Sequence, residues 1–419
     1  MYKTAHVPDL ETTEAGEESR RLKWSRIELS IECKVSTDKD PFDESRPDCV
    51  PEAKERQAVL GQVLSYAELV FKYQHREFHY MVVFLGLYAR IVRFDRSGIT
   101  ITPRLKYTDP LEGHTLSTFI ARYGRLHSQN RGHDATAERI EDGDPLRASV
   151  LKHVATLKDD LSDKVKRFRE SLSTLWPWWK LAIHDELTDT ERFVLVGRPT
   201  FVAPGVVGRG TRGYIGLPIS ACGKPEGDLV YVKDAWRIDY DDFHKEGEII
   251  RELNKAGVQY VPTVLYHGDV PGQAAKSYHN WSERCTKGSS KTKSDCPLKP
   301  HQHYRLVVQE VGKPLTEFTN GWQLAWAMLN IICGKFHPHR SHETWIKSLL
   351  DSPRRCMCGW LHSPRHQRGK YPAIRRQEGE YLWHAQRLGA RQRVQHDRWP
   401  TRYVPPARQN CKCNANPLV

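Results

Sequence analysis

The sequence predicts an α+β protein built in two folded parts and ending in a basic tail of low order. Three observations carry this expectation. Residues 1–140 group one amphipathic helix with several β-rich runs, a stretch of helical spacing follows, and a second set of strands then surrounds a glycine-rich turn. A chain of 419 residues has room for two or three domains. Its 39% hydrophobic and 27% charged residues suit a folded, water-facing protein. The expected boundaries are 1–140 for an N-terminal α/β domain, 141–185 for a connector helix, 186–333 for the second folded part, and 334–419 for the tail.

Trp24 to Val35 reads as a strand, because Ile27, Leu29 and Ile31 alternate with Glu28, Ser30 and Glu32. Glu55 to Gln74 reads as a helix with Val59, Val63, Ala67, Val70 and Phe71 on one stripe. Phe78–Leu85, Leu87–Phe94 and Ile99–Thr102 are rich in β-branched and aromatic residues, and Asp95-Arg96-Ser97-Gly98 has the chemistry of a hairpin turn. Leu146 to Leu172 predicts one long helix, with Val150, Val154, Leu157, Leu161, Val165, Phe168 and Leu172 at helical spacing. This helix is a packed connector, or else a partner surface. Trp176-Pro177 marks its end, strand character returns at Phe193 to Val202, and the polar stretch 273–303 predicts a disordered insertion.

Charge and cysteine usage exclude several classes. The net charge is +13, yet residues 334–419 hold 13 Arg and 4 Lys against 2 Asp and 3 Glu, so nearly all the excess lies in the tail. The folded part is close to neutral, and nucleic acid is not an expected partner. No apolar run approaches the roughly 18 residues of a spanning helix, and Met1 opens onto polar sequence, which predicts an intracellular protein with no membrane contact. The ten cysteines form no compact framework and read as reduced thiols. Cys356, Cys358, Cys411 and Cys413 are too widely spaced to predict a zinc site.

Gly208-Arg209-Gly210-Thr211-Arg212-Gly213 matches G-x-G-x-x-G, a weak signal alone. A dinucleotide-binding turn of this kind opens a helix, whereas a kinase loop joins two strands over the phosphates. Strand follows here: Leu229-Val230-Tyr231-Val232-Lys233 ends in a lysine placed to meet α and β phosphates. Such a lysine needs a carboxylate from the next helix, and Glu246, followed by Ile249 and Ile250, is the candidate, with Glu248 aimed elsewhere. Tyr304 to Gly312 reads as a strand running into a hinge, where Glu310 and Gly312 offer backbone groups to adenine. For Lys233 by itself, an exposed strand-end lysine is the ordinary reading; the ordered set favours a site.

Phe94-Asp95-Arg96-Ser97-Gly98, Arg131-Gly132-His133-Asp134, the glycine turn, and Val232-Lys233-Asp234-Ala235-Trp236-Arg237 together resemble the fungal-type protein kinase-like family, whose members are similar to serine/threonine kinases with an unusual N-terminal extension. The resemblance covers the chain up to about Cys333. It implies a kinase-like N-lobe over 186–333, ATP as ligand, and phosphorylation of protein Ser or Thr as the family activity. This sequence departs from that pattern after Cys333. It has no H-R-D loop with its Asn and no aspartate in a magnesium-binding motif; only Asp351 and Asp397 remain. The expectation is therefore ATP binding at most, no catalytic residue, and no magnesium held without its ligands. Gly334-Lys335-Phe336 can be encoded by a consensus intron start, and codons permitted for Leu361 to Ala390 can be read out of register as a segment containing H-R-D, its Asn, and S-D-W-E. A retained intron followed by out-of-frame translation explains a tail without periodicity.

A different class is open at the other end. Pro8-Asp9 followed by Glu32-Cys33-Lys34 is similar to the PD-(D/E)xK nuclease pattern, in which carboxylates hold a divalent metal and the lysine helps position water. An ordinary alternating strand also supplies E-x-K. The N-terminal domain then reads as a degenerate nuclease-like fold or as part of a noncatalytic interaction module.

Overall fold

On the first strand polar residues, not apolar ones, face inward. In this computed structural model, which describes residues 23–46, 49–158, 163–173, 175–241, 243–286, 296–335 and 402–403, β1 (Ser30–Lys34) buries Ser30 and Glu32 and leaves Ile31 58% exposed. The expected strand from Trp24 is shortened, because Trp24–Arg26 forms a turn of 3-10 helix instead. The inversion has a local cause. Ser30 Oγ meets His79 Nε2 at 2.8 Å, and Glu32 pairs with Lys34 Nζ at 2.6 Å. Each inward polar group thus has a partner, as burial requires.

Helix α1 (Lys54–Tyr73) follows, with Val59, Val63, Ala67, Val70 and Phe71 buried along its stripe. It carries the chain from β1 to the parallel neighbour β2 (Phe78–Leu85), the crossover a parallel pair needs. Then come β3 (Tyr88–Asp95), β4 (Ile99–Ile101), β5 (Leu105–Lys106) and α2 (Pro110–Arg125). At the β3–β4 hairpin, Asp95 Oδ1 accepts from the backbone N–H groups of Ser97 and Gly98. Helix α2 escapes the periodicity argument, but its start is written in the sequence: Asp109 accepts from Leu111 N and Glu112 N, with Pro110 at the first helical position.

The second sheet begins earlier than the sequence suggests. β6 (Ala137–Ile140) belongs to it, followed by α3 (Pro145–Thr156), α4 (Lys164–Ser171), β7 (Trp178–Asp185), β8 (Thr190–Val196), β9 (Phe201–Val202), β10 (Arg212–Ile219), β11 (Val230–Ile238), α5 (Glu246–Lys255), β12 (Val264–Ala274), α6 (Lys276–Thr286), β13 (His301–Val308), α7 (Gly321–Lys335) and β14 (Arg402–Tyr403). The strand order is β12-β13-β11-β10-β8-β7-β6, antiparallel throughout, with β9 on β10, while β14 lies beside β4 in the first sheet. Its ends curl toward each other, since Glu186 N, just past β7, donates to His267 O on β12 at 3.1 Å.

Three expectations need correction. The single helix over 146–172 is two helices: α3 ends at Thr156, and Asp163 precedes α4 with φ 54°, a left-handed conformation that a continuous helix does not contain. The 141–185 connector also holds a core strand, β7, in which Trp178, Leu181 and Ile183 are fully buried. Within 273–303 the chain is largely structured: Trp281 of α6 packs with Leu298, and Gln273, His301 and His303 are buried. Only 287–295 of that stretch lies outside the described residues, as does almost all of the 334–419 tail with its four spaced cysteines. Cys33 and Cys222 are exposed free thiols. Among the described residues no helix is long and apolar enough to cross a membrane.

The polar residues that read as disorder instead join the two sheets. Asp234 of β11, 1% exposed, accepts from Arg212 Nη2 at 2.7 Å and from Arg305 Nε at 3.3 Å, and meets His303 Nε2 at 2.5 Å. Arg305 bridges onward to Asp134 at 2.5 Å, and Gln273 donates to Asp134 at 2.6 Å. Arg212 reaches the first unit at Gln74 O (3.0 Å) and His75 Nδ1 (3.0 Å). Burial alone would raise the Asp234 carboxyl; His303, Arg212 and Arg305 overcome it and hold the group well below the usual range. His75 is driven well below the ordinary histidine value by burial and by Arg212, so its ring is neutral and Nδ1 accepts. Beside this network, the hydrogen bond from His133 holds Glu28 down to about 2 against its partial burial.

Removing one member of a buried ionic set leaves its partners charged and uncompensated. Asp234→Ala is expected to lower stability by about 3–5 kcal/mol in denaturant unfolding. A loss below about 1 kcal/mol would show that the network is open to water.

Candidate functional site

The β10–β11 hairpin sets the site. Its register places Gly213 opposite Lys233, so the end of the glycine turn lies across from the lysine. Strand alternation then sends Lys233 and Asp234 to opposite faces: Asp234 into the network between the sheets, Lys233 toward α5. There Lys233 Nζ donates to Glu246 Oε1 at 2.7 Å and Oε2 at 2.6 Å. Burial, with Arg209 adding repulsion, pulls the ammonium below the usual lysine value while Glu246 opposes the fall. Glu248 faces away and accepts from Lys245 N at 3.2 Å, closing the first turn of the helix. The start of α5 is fixed further by Gly247 N donating to Tyr304 Oη at 2.8 Å.

The glycines have distinct reasons. Gly208 and Gly210 stand at φ 111° and 47°, where a side chain is strained. Gly208 N donates to Arg96 O at 2.8 Å, fastening the loop to the β3–β4 turn. At Gly213 a Cβ would lie 1.9 Å from Tyr231 Oη, so the Tyr231 phenol occupies the space of the absent side chain. Burial pushes that phenol up to about 12. Arg209 approaches Glu246 at 3.6 Å, placing a second cation beside the lysine.

The residues expected at a hinge are already engaged. The Glu310 carboxylate accepts from Thr263 N at 2.7 Å and Thr263 Oγ1 at 2.8 Å, bracing the end of β13. Gly312 O accepts from Arg167 Nη1 of α4 at 2.8 Å, and Lys313 pairs with Asp163 at 2.5 Å. At its other end α4 contacts the start of the glycine segment, where Arg198 N donates to Ser171 O at 2.7 Å. Between these ends Val165 and Phe168 are buried in one cluster with Ile215, Tyr231, Val308 and Val311. Val165 and Phe168 of the stripe, read as a packed connector or else as a partner surface, thus pack on this sheet face.

The structure brings Gly213, Lys233 and Glu246 together beside Gly208 and Gly210, and places Glu310 and Gly312 at the end of β13. Sequence reasoning missed Arg167, Arg209 and Tyr231. Arg209 and Tyr231 lay inside the quoted motifs and could have been weighed; Arg167 carries no local signal, since its partner is 145 residues away. At the other candidate site, Lys34 also donates to Gln62 at 2.8 Å, while Asp9 lies outside the described residues. Among the described residues no three His, Cys, Asp or Glu side chains gather to hold a metal.

An antiparallel hairpin with a glycine turn, a strand lysine and a helix glutamate in ion contact is the arrangement protein kinases use to meet phosphates. The chain belongs to the fungal protein kinase family, whose profile matches residues 11–341. No curated protein and no solved structure matches it.

Gly213→Ala is expected to cost about 1–3 kcal/mol through overpacking against Tyr231. Adding Tyr231→Phe should recover part of that loss in thermal unfolding, because the hydroxyl is the nearest clashing atom, with Cζ next at 2.8 Å; strictly additive effects would contradict the contact.

Proposed function

We propose that residues 186–333 form a kinase-type nucleotide-binding lobe that binds ATP and is defective in phosphoryl transfer. The contact between Lys233 and Glu246 beneath the glycine turn carries the reading. The order β8-β10-β11-β13-β12, with α5 between β11 and β12, supports it, being the arrangement of a kinase N-lobe. The residues fit the phosphate end of the nucleotide: Lys233 is held for the α and β phosphates, and Gly208, Gly210 and Gly213 let backbone approach them. ATP, when bound, supplies the transferable phosphoryl group. The purine end is covered, because α4 fills the apolar face next to the hinge and Arg167 takes the Gly312 carbonyl. Binding then requires α4 to withdraw, and the apparent affinity falls by the fraction of molecules in which it has done so.

Transfer needs a base and metal ligands that this sequence lacks after Cys333. The end of the family match at residue 341, a few residues beyond Gly334, supports the retained-intron reading of the tail. Transcript sequencing is expected to show unspliced sequence there; a spliced message that keeps the present frame would refute that origin.

Calorimetry with ATP, with and without magnesium, tests the nucleotide site. Lys233→Ala is expected to remove binding, whereas Arg167→Ala, which frees the hinge carbonyl, should tighten it several-fold. Equal affinity in the wild type and Lys233→Ala, or robust phosphorylation of a generic substrate, would sink the proposal.

A further inference from the structure

The glycine loop has a second side. Between it and α1 lies a cavity of about 170 Å³, lined by Glu68, Lys72, Arg96, Gly205, Gly210 and Arg212 among others. That is room for several waters or one tetrahedral anion. The lining carries three cations to one carboxylate, and the carboxylate is committed: Glu68 Oε1 accepts from Gly205 N at 3.0 Å. Two of the cations are guanidinium groups on residues 4% exposed.

Their donors are incompletely used. Arg96 stacks over the Phe71 ring at 4.4 Å and donates through Nη1 to Val206 O at 2.9 Å and, weakly, to Gly205 O at 3.4 Å. The Nε–H groups of both Arg96 and Arg212 are buried without a hydrogen-bond partner among the described residues. Arg212 has Asp234 behind it, whereas Arg96 makes no ion pair among the described residues. Burial, reinforced by the Arg212 charge, pulls Arg96 down to about 9. The loop is shaped around this guanidinium, because a Cβ at Gly210 would lie 2.4 Å from Arg96 Cζ. Buried unpaired N–H donors with excess positive charge around a small cavity are what a phosphate group satisfies, through the planar donor fork of arginine.

We propose that this cavity is a phosphate-binding site, held by Arg96 and Lys72 with Arg212 behind them, and separate from the site at Lys233. Its ligand class is a phosphate group, either free or on a phosphorylated molecule. The site closes α1, the β3–β4 turn and the glycine loop around one anion.

The test is titration of the full chain with inorganic phosphate at constant ionic strength, read by calorimetry and thermal shift with chloride as control. Saturable binding is expected in the wild type and in Lys233→Ala. It should weaken about tenfold in Lys72→Gln, a half-exposed position that does not threaten folding, and vanish in Arg96→Gln. Addition of ATP separates the sources: displacement of phosphate by ATP through Arg96 identifies a nucleotide phosphate as the occupant, and independent binding identifies a separate phosphate. No saturable binding in the wild type, or binding lost in Lys233→Ala and retained in Lys72→Gln, would overturn the proposal.

Discussion

One carboxylate organises much of this molecule. Asp234 lies immediately after Lys233, and the pleat of β11 turns the two side chains to opposite faces. What holds Asp234 therefore also fixes where Lys233 points. Arg212 grips it from the glycine turn and Arg305 and His303 from β13. Through Arg212 and Arg305 the grip extends to Gln74 and Asp134 in the segments leading into each sheet. Placing so many charges away from water is costly, and such sets do more to select one arrangement than to add stability. Here the arrangement selected is the docking of the first unit against the hairpin that bears the glycine turn.

This explains which parts of the architecture were legible in the sequence. Elements whose stability is local announced themselves: α1 through its stripe, β2 and β3 through β-branched and aromatic content, and the β3–β4 turn through Asp95 and Gly98. The partnership of Lys233 with Glu246 was legible for a similar reason, since strand, loop and helix bring them together over a short separation. The failures share the opposite property. Ser30 faces inward, and Gln273, His301 and His303 are buried, because each finds a polar partner far away in sequence. Polarity read along the chain cannot distinguish a solvated residue from one satisfied across a fold.

The break between α3 and α4 follows the same logic. A continuous stripe from 146 to 172 suggested one rod, yet two shorter helices carry it, and Val150, Val154, Val165 and Phe168 all enter the same core cluster. The family motifs also take on a different meaning in three dimensions. Asp95 receives the N–H of Ser277 at the head of α6, Arg96 anchors the glycine loop, Asp134 receives Arg305, and Asp234 ties them to the lysine strand. Only Lys233 among these faces Glu246 of α5; the others join one unit to the next.

The position of β6 bears on how the molecule can be dissected. This four-residue strand comes before both connecting helices, yet it completes the second sheet by pairing along β7 from Ala137–Leu181 to Ile140–Trp178. A fragment started at residue 141 or 186 would leave behind that strand, Asp134, and, in the second case, all of β7. Arg305 would then face an empty position, and the sheet would present an open edge ready to recruit strands from neighbouring copies. The natural seam for isolating the second sheet therefore lies upstream of Asp134, and a polypeptide cut at the apparent connector would be a candidate for inclusion bodies rather than for crystals.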